Sequence, residues 1–235
     1  MFKWKDILLI LFIITLTASL VFIGKRTDGI AIFYNLSPAI NKQILYQLIT
    51  LVFAIVFLCI LFLTKKSVLL QYLRKGNISA NIIPEPLLGI NPKANENWFH
   101  LGRNFAIIIS IVTIIIIYFQ SIRENETSIR EILNVMPFSI AFAISNSFVE
   151  ESITRLGVVV VLKDRLKDKT IPIVSALIFG TVHYWGNPGG FIGVFVAGFL
   201  GWILAKSILE TKGIFWAWLI HCMQDVIIFS ALLTI

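Results

Sequence analysis

Charged residues are scarce in this 235-residue sequence. Asp, Glu, Lys and Arg make up 14% of the chain, hydrophobic residues make up 57%, and the mean hydropathy is +0.88. Soluble globular domains have about 25% charged residues, so this composition excludes a soluble globule and indicates a multi-pass membrane protein. The net charge of +7 is interpreted as a feature of membrane topology, and no nucleic-acid partner is expected.

Cysteine is nearly absent, and the sequence has no internal repeat or low-complexity tract. Cys59 and Cys222 both lie in apolar runs, so no disulfide framework is predicted. The zinc-binding pattern HExxH is also missing. Lys3 and Lys5 precede an apolar run over 7–24 that ends without a small-residue cleavage site. That run is therefore predicted to be a retained helix rather than a signal peptide.

Long apolar runs, by contrast, fill the chain. Seven membrane-spanning helices are predicted, over residues 7–24, 43–63, 104–120, 136–162, 171–186, 190–208 and 214–233, with a tight turn at 186–190. The fourth is long and the fifth short, which leaves room for an eighth, re-entrant or interfacial, helix. The predicted fold is an all-α polytopic transmembrane bundle of about seven spans.

The chain is predicted to divide after residue 103. Residues 1–103 are interpreted as a transmembrane hairpin followed by a basic cytoplasmic or interfacial segment. Within that segment, residues 68–72 lie either along the inner membrane surface or in a solvated loop. Residues 104–235 are interpreted as the functional core.

Positive charge is distributed unequally between the two sides of the predicted bundle. With a cytoplasmic N-terminus, the inner segments carry 14 of the 20 Lys and Arg residues and the outer segments carry five, while Arg155 lies within a span. Because Lys and Arg accumulate on the cytoplasmic side, the N-terminus is predicted to be cytoplasmic, in a protein of the cell membrane.

One hydrophilic segment, NSFVEESITR at 146–155, interrupts an apolar run. In a helix its polar residues form one stripe: Asn146, Ser147, Glu150, Glu151, Thr154 and Arg155. Ionisable groups deep in hydrocarbon normally face a protein interior or a wet cavity and mark function. The alternative is a structural ion pair between Glu151 and Arg155, which would leave Glu150 without a counter-charge. We therefore interpret the stripe as a functional site.

Two further spans carry ionisable groups at matching depth. Phe179 and His183 share a helix face at i and i+4, as do His221 and Asp225. At 1.5 Å per residue, Glu150, His183 and Asp225 each lie about 20 Å from the inner end of their own span. The groups are therefore expected to meet in one layer of the bilayer.

These residue types suit the activation of a water molecule. A poorly solvated Glu150 beside a second carboxylate is suited to act as a general base, with His183 orienting the water and Arg155 holding Glu151 ionised. His221 would donate a hydrogen bond to a developing oxyanion, and Asp225 would fix its tautomer. Zinc bound by the same histidines and carboxylates is the alternative that spacing leaves open.

The three motifs Glu150-Glu151-x-x-x-Arg155, Phe179-x-x-x-His183 and His221-x-x-x-Asp225 occur in this order. Their arrangement resembles the CPBP family of intramembrane proteases, which includes the type II CAAX prenyl proteases and many bacterial Abi-type proteins. The resemblance implies peptide-bond hydrolysis within an all-helical membrane core. It also implies that Glu150 and His183 activate water and that His221 and Asp225 stabilise the oxyanion. Some members have been labelled metalloproteases, and the metal-free mechanism is favoured here.

The expected function is an intramembrane endopeptidase acting on a membrane-associated peptide or protein, prenylated or not. An Abi-like immunity or scaffold protein that does not need hydrolysis is an alternative. A proton-coupled transporter is another, although the spans lack the repeat symmetry that many transporters show. The cleavage site and the oligomeric state are left open.

Overall fold

The helices of the chain follow the predicted apolar runs. The computed structural model describes residues 3–186 and 189–234, and over these residues the chain forms eight α-helices and no β-sheet. They are α1 (Trp4–Arg26), α2 (Pro38–Tyr72), α3 (Trp98–Ile117), α4 (Ile129–Glu151), α5 (Gly157–Leu162), α6 (Ile171–Val182), α7 (Gly190–Thr211) and α8 (Phe215–Leu232). Residues 187 and 188 of the predicted turn lie outside the described residues.

The predicted membrane architecture is confirmed. Within the described part of the chain, six helical stretches are long and apolar enough to cross a membrane. A seventh, Ile171–Trp185, is apolar but shorter, and it consists of α6 and the single 3₁₀ turn at His183–Trp185. The all-α fold with about seven spans therefore holds, and the fifth span is the short one.

α2 continues beyond the predicted second span. Residues 68–72 form its last turns, where Leu69 and Tyr72 are buried. Lys65 has non-helical backbone angles (φ −138°, ψ 31°), which kink the helix just before these turns. This segment is therefore helical and packed rather than a solvated loop.

α4 and α5 belong to one continuous helical stretch, Ile129–Leu162. It begins at a capping box, in which Glu131 N donates to Ser128 Oγ at 3.3 Å and Ser128 N donates to the Glu131 carboxylate at 2.7 Å. Between α4 and α5, residues Ser152–Leu156 form a π-helical turn, which accommodates an extra residue in the turn. Such turns are frequent at functional sites, and this one carries Arg155.

Helix packing brings α4 against α8, and the π-helical turn after α4 against α6. α4 packs against α2 and α8, α3 packs against α8, and α6 packs against α7. The α6–α7 contact is close: a Cβ atom on Gly180 would lie 2.7 Å from the carbonyl oxygen of Val194. Small residues allow this approach between membrane helices.

A buried charge cluster joins three elements at the predicted inner face. Asp6 of α1 is 1% exposed, and its carboxylate contacts Lys65 Nζ at 2.6 Å and Arg165 Nε at 2.5 Å. We call Asp6, Lys65 and Arg165 the inner-face cluster. On the same face, Arg74 Nε donates to the carbonyl oxygen of Lys212 at 3.1 Å. Segments that the topology prediction assigned to one side of the membrane therefore lie together.

The loop between α2 and α3 is fastened to α7 by a second buried carboxylate. Glu210 accepts hydrogen bonds from Trp98 Nε1 at 2.7 Å and from Ile83 N at 3.1 Å, and it also pairs with Lys206. Lys206 Nζ in turn donates to the Ile83 carbonyl oxygen at 2.8 Å. These contacts hold the basic segment against the bundle.

Candidate active site

The predicted polar stripe of α4 faces the interior of the bundle. Glu151 and Arg155 have no exposed surface, Asn146 and Thr154 are buried, and the side chain of Glu150 is 16% exposed. Because apolar helices surround them, these groups can only be satisfied by one another or by water in a cavity. The prediction that the stripe faces inward is confirmed.

Glu151 is held by two partners from different helices. Arg155 Nη1 lies 3.2 Å from Glu151 Oε1, and His221 Nδ1 lies 2.8 Å from the same oxygen. A carboxylate accepts hydrogen bonds, so Nδ1 of His221 carries the proton. The predicted Glu151–Arg155 pair is present. Asp225, predicted to fix the His221 tautomer, lies instead on the other side of the ring, 3.5 Å from Nε2.

Phe179 of α6 shields this ion pair. The guanidinium carbon of Arg155 lies 3.3 Å from the centroid of the Phe179 ring, close enough for a cation–π contact. The same ring is 4.1 Å from the His183 ring and 5.9 Å from the His221 ring, measured between centroids. Phe179 therefore contacts the Arg155 guanidinium and packs against both histidine rings.

Asn146 links the two carboxylates that face the cavity. Its Nδ2 atom donates to Asp225 Oδ2 at 3.0 Å and to Glu150 Oε1 at 3.3 Å. The other oxygen of Glu150, Oε2, lies 3.7 Å from His221 Nε2. Sequence reasoning placed Asn146 on the stripe but gave it no role. Its position four residues before Glu150 was the available signal.

His183 lies at the C-terminal end of α6, in the 3₁₀ turn that follows the helix. Its Nδ1 atom is 2.9 Å from the carbonyl oxygen of Phe179. A carbonyl oxygen can only accept, so Nδ1–H is the donor, and a neutral ring then has a free electron pair at Nε2. Over the described residues no hydrogen bond joins His183 directly to Glu150, although both side chains line the same two cavities.

The first of these cavities, here called the outer cavity, has a volume of about 360 Å³. It extends from Glu150 and Thr154 to the ends of α1, α2 and α6 that lie away from the inner-face cluster. Its wall near those ends includes Lys25, Lys42 and Gly186.

The second, here called the lateral cavity, has a volume of about 250 Å³ and lies between α3, α4, α7 and α8. Val112 of α3 and Val196 of α7 line it and are both partly exposed on the lipid-facing surface of the bundle. The polar groups at its inner wall include all four predicted catalytic residues: Glu150, His183, His221 and Asp225. Glu150, Phe179 and His183 line both cavities and form the wall that the two share.

The donor atoms at the site bear on the zinc alternative. Zinc sites need three or four nitrogen, sulfur or oxygen ligands arranged around one point. Among residues 3–186 and 189–234, no group of three or more His, Cys, Asp and Glu side chains has an arrangement that could hold a metal ion. In this conformation the contacts of His221 are directed to carboxylates instead.

Comparison with known proteins adds one match. Residues 131–227 match the family described as type II CAAX prenyl endopeptidase Rce1-like, and this stretch contains all three sequence motifs. The resemblance drawn from those motifs is therefore confirmed. Neither a curated protein nor a solved structure gives a significant match.

Proposed function

We propose, from the membership of residues 131–227 in the Rce1-like family of type II CAAX prenyl endopeptidases, that this membrane protein hydrolyses a peptide bond by a metal-free, glutamate-dependent mechanism. The observation that carries the proposal is the placement of Glu150, His183, His221 and Asp225, from three helical segments, around one cavity. Charged and polar groups converging in an otherwise apolar pocket are typical of an active site.

Glu150 and His183 are the groups that activate water. Asn146 occupies one oxygen of Glu150, which leaves the other available to accept a proton from a water molecule. The free Nε2 of His183 accepts that molecule's second hydrogen, and this orients an oxygen electron pair toward the substrate. As the oxygen attacks the carbonyl carbon, Glu150 takes the proton. It then returns the proton to the leaving nitrogen when the carbon–nitrogen bond breaks.

His221 is the donor to the oxyanion that develops during attack. Its Nδ1–H is fixed by Glu151, and its Nε2 atom points toward the carboxylates of Glu150 and Asp225 at the cavity wall. When both ring nitrogens carry a proton, Nδ1–H donates to Glu151 and Nε2–H is available to an oxyanion that forms at the cavity wall. Glu151 and Arg155 act through His221 and are positioning residues, while Asp225, in its protonated form, is the second donor on the oxyanion side of the site.

The substrate we propose is a membrane-associated peptide or protein, prenylated or not. The lateral cavity is lined mainly by aliphatic and aromatic side chains of α3, α7 and α8, which suit a lipid chain or an apolar peptide segment. Its partly exposed rim gives such a group a path from the bilayer. We also propose that the protein lies in the cell membrane, with the lipid bilayer and this substrate as its partners.

The test is cleavage of quenched-fluorescence membrane peptides, prenylated and unprenylated, by protein purified in detergent. Glu150→Gln and His183→Ala are expected to lower kcat by roughly 10²–10⁴-fold, because each removes a group that handles the water proton. Glu124→Gln, an exposed carboxylate in a loop, serves as the control and should cleave like the wild type.

A metal chelator should leave the wild-type rate unchanged. Loss of cleavage with chelator, restored by zinc, would overturn the metal-free mechanism and make the same residues metal ligands. Wild-type rates in Glu150→Gln would overturn the proposal itself. A function that persists in cells expressing Glu150→Gln would instead favour an immunity or scaffold role.

A further inference from the structure

We infer that the catalytic site receives its water and its scissile bond from the outer, extracytoplasmic side of the membrane. The inference rests on the proposed hydrolytic function and adds the sidedness of the substrate. Its basis is the direction in which the outer cavity opens, together with the charge on the two ends of the bundle.

Depth along the helices places the site in the outer half of the bundle. The inner-face cluster fixes one reference plane, since Asp6, Lys65 and Arg165 are in direct contact. Glu150 precedes Arg165 by 15 residues, and Leu20 of α1, which lines the same cavity, follows Asp6 by 14. At 1.5 Å per helical residue, both lie about 20 Å from that plane, which is two thirds of a hydrocarbon core of about 30 Å.

The outer cavity continues from Glu150 away from the inner-face cluster. Val21 and Lys25 lie one helical turn apart along α1, and Tyr46 and Lys42 do so along α2, so each wall ends in a cation. On the third side the wall ends at Trp185 and Gly186, where Trp185 is 60% exposed. Cations and an exposed tryptophan are typical of the membrane–water interface.

At the opposite end of the bundle, the cavities formed by Ile83 and Lys206, by Ile82 and His100, and by Leu63 and Asp164 do not include Glu150 in their walls. The helical segments on the inner side of the site are tightly packed, and residues 157–161 of α5 have no exposed side chain among the described residues. That end also carries most of the Lys and Arg residues, 14 of 20, which assigns it to the cytoplasm. The expected substrate is thus a membrane-anchored protein whose cleavable peptide bond lies at the extracytoplasmic surface.

Cysteine labelling in intact cells tests the opening without any need for catalysis. In a variant with Cys59→Ala and Cys222→Ala, single cysteines replace Val21 in the outer cavity, Phe22 beside it on the lipid face, Tyr34 and Leu87. Tyr34 and Leu87 are 97% and 100% exposed in the loops after α1 and α2. The reagent is a charged, membrane-impermeant thiosulfonate, which reacts with a hydrated thiolate.

In intact cells, the reagent is expected to label Val21→Cys and Tyr34→Cys from outside. Leu87→Cys should be labelled only after the cells are lysed. Phe22→Cys lies at the same depth but faces lipid. It should react at no more than about one tenth of the rate of Val21→Cys, because exclusion from water suppresses formation of the thiolate. Labelling of Val21→Cys only after lysis, or from neither side, would overturn the inference.

A second measurement examines the substrate directly. The peptide that the purified enzyme cleaves is fused to either the outer or the inner end of a single-span reporter, and both reporters are expressed with wild type and with Glu150→Gln. Cleavage confined to the outer fusion and lost in Glu150→Gln supports the inference, and cleavage confined to the inner fusion overturns it. If purified protein cleaves no peptide, the proposed function fails, while the labelling result still decides where the cavity opens.

Discussion

Two adjacent glutamates at the centre of the site have different surroundings. Glu151 is fully buried, and one of its oxygens is shared by Arg155 and His221. Glu150 is turned toward the two cavities and has one oxygen bound by Asn146. A buried charge that loses its partner is costly, whereas a carboxylate at a cavity can be hydrated. The first residue is therefore suited to organising the site and the second to exchanging protons.

The substitution Glu151→Gln should destabilise the protein. It leaves the Arg155 guanidinium in the interior without a carboxylate, a loss of about 3–5 kcal/mol for a buried pair. The variant with the same change at the neighbouring residue, Glu150→Gln, should lose activity but unfold at nearly the same temperature as the wild type. The difference between their unfolding midpoints is measured by heating both variants in the same detergent and monitoring the loss of folded protein by size-exclusion chromatography. Equal midpoints for the two variants would refute the division of roles.

Much of the site could be predicted at this scale, because helical spacing alone places charges on one face. The Glu151–Arg155 pair and the convergence of α4, α6 and α8 followed from i and i+4 spacing and from depth. The partner of His221 Nδ1 could not be predicted, since Glu151 and Asp225 are chemically equivalent candidates and only the rotation of α8 against α4 chooses between them. The link made by Asn146 depends on the same rotation.

Some helices are longer than the spans predicted for them, because they continue past their apolar runs. α2 extends to Tyr72 beyond Lys65 and Lys66, and α4 begins at Ile129, before the apolar span predicted from residue 136. Hydropathy marks the part of a helix that lies in lipid, whereas capping and tertiary contacts decide where it ends. The π-helical turn at Ser152–Leu156 has no signature in hydropathy either, because its composition equally suits an α-helix.

The inner-face cluster should contribute measurably to the joining of α1, α2 and the segment after α5. Asp6→Ala leaves Lys65 and Arg165, both largely buried, without their common acceptor, and is expected to cost about 2–3 kcal/mol. Asp28→Ala is the matched control. Its pair with Lys42 lies at the surface, and exposed ion pairs contribute less than about 1 kcal/mol.

Unfolding midpoints of the Asp6 and Asp28 variants in detergent provide the comparison. A smaller loss for Asp6→Ala than for Asp28→Ala would show that the cluster does not join these elements.

Across the whole molecule, the proposed catalytic groups lie where two cavities of different character meet. The lateral cavity is bounded by α3 and α7 and faces the bilayer, while the outer cavity ends at cations. Amphipathic substrates can place their apolar part in the first while water reaches the site through the second. The composition of the chain predicted the membrane bundle but not these cavities, since a cavity arises from where packed helices fail to meet.

Narrowing the lateral cavity should therefore affect lipid-attached substrates selectively. Val196→Trp adds bulk at the rim of that cavity and is expected to raise KM for a membrane-anchored peptide by roughly tenfold, the effect of about 1.4 kcal/mol of lost binding. A short water-soluble peptide should be cleaved with nearly unchanged KM. Phe195→Trp, at the neighbouring lipid-facing position, is the control. An equal rise in KM for both substrates would argue against this entry route.

Glu150, Phe179 and His183 separate a water-facing space from a lipid-facing one. Under the proposed function, a peptide cut at this wall would yield a soluble fragment that diffuses into the aqueous phase and an anchored fragment that returns to the lipid. Because the two products enter different phases, they do not accumulate together at the site, and religation is suppressed. The proposed hydrolysis would therefore release its two products along separate paths, without a gate that must close after each turnover.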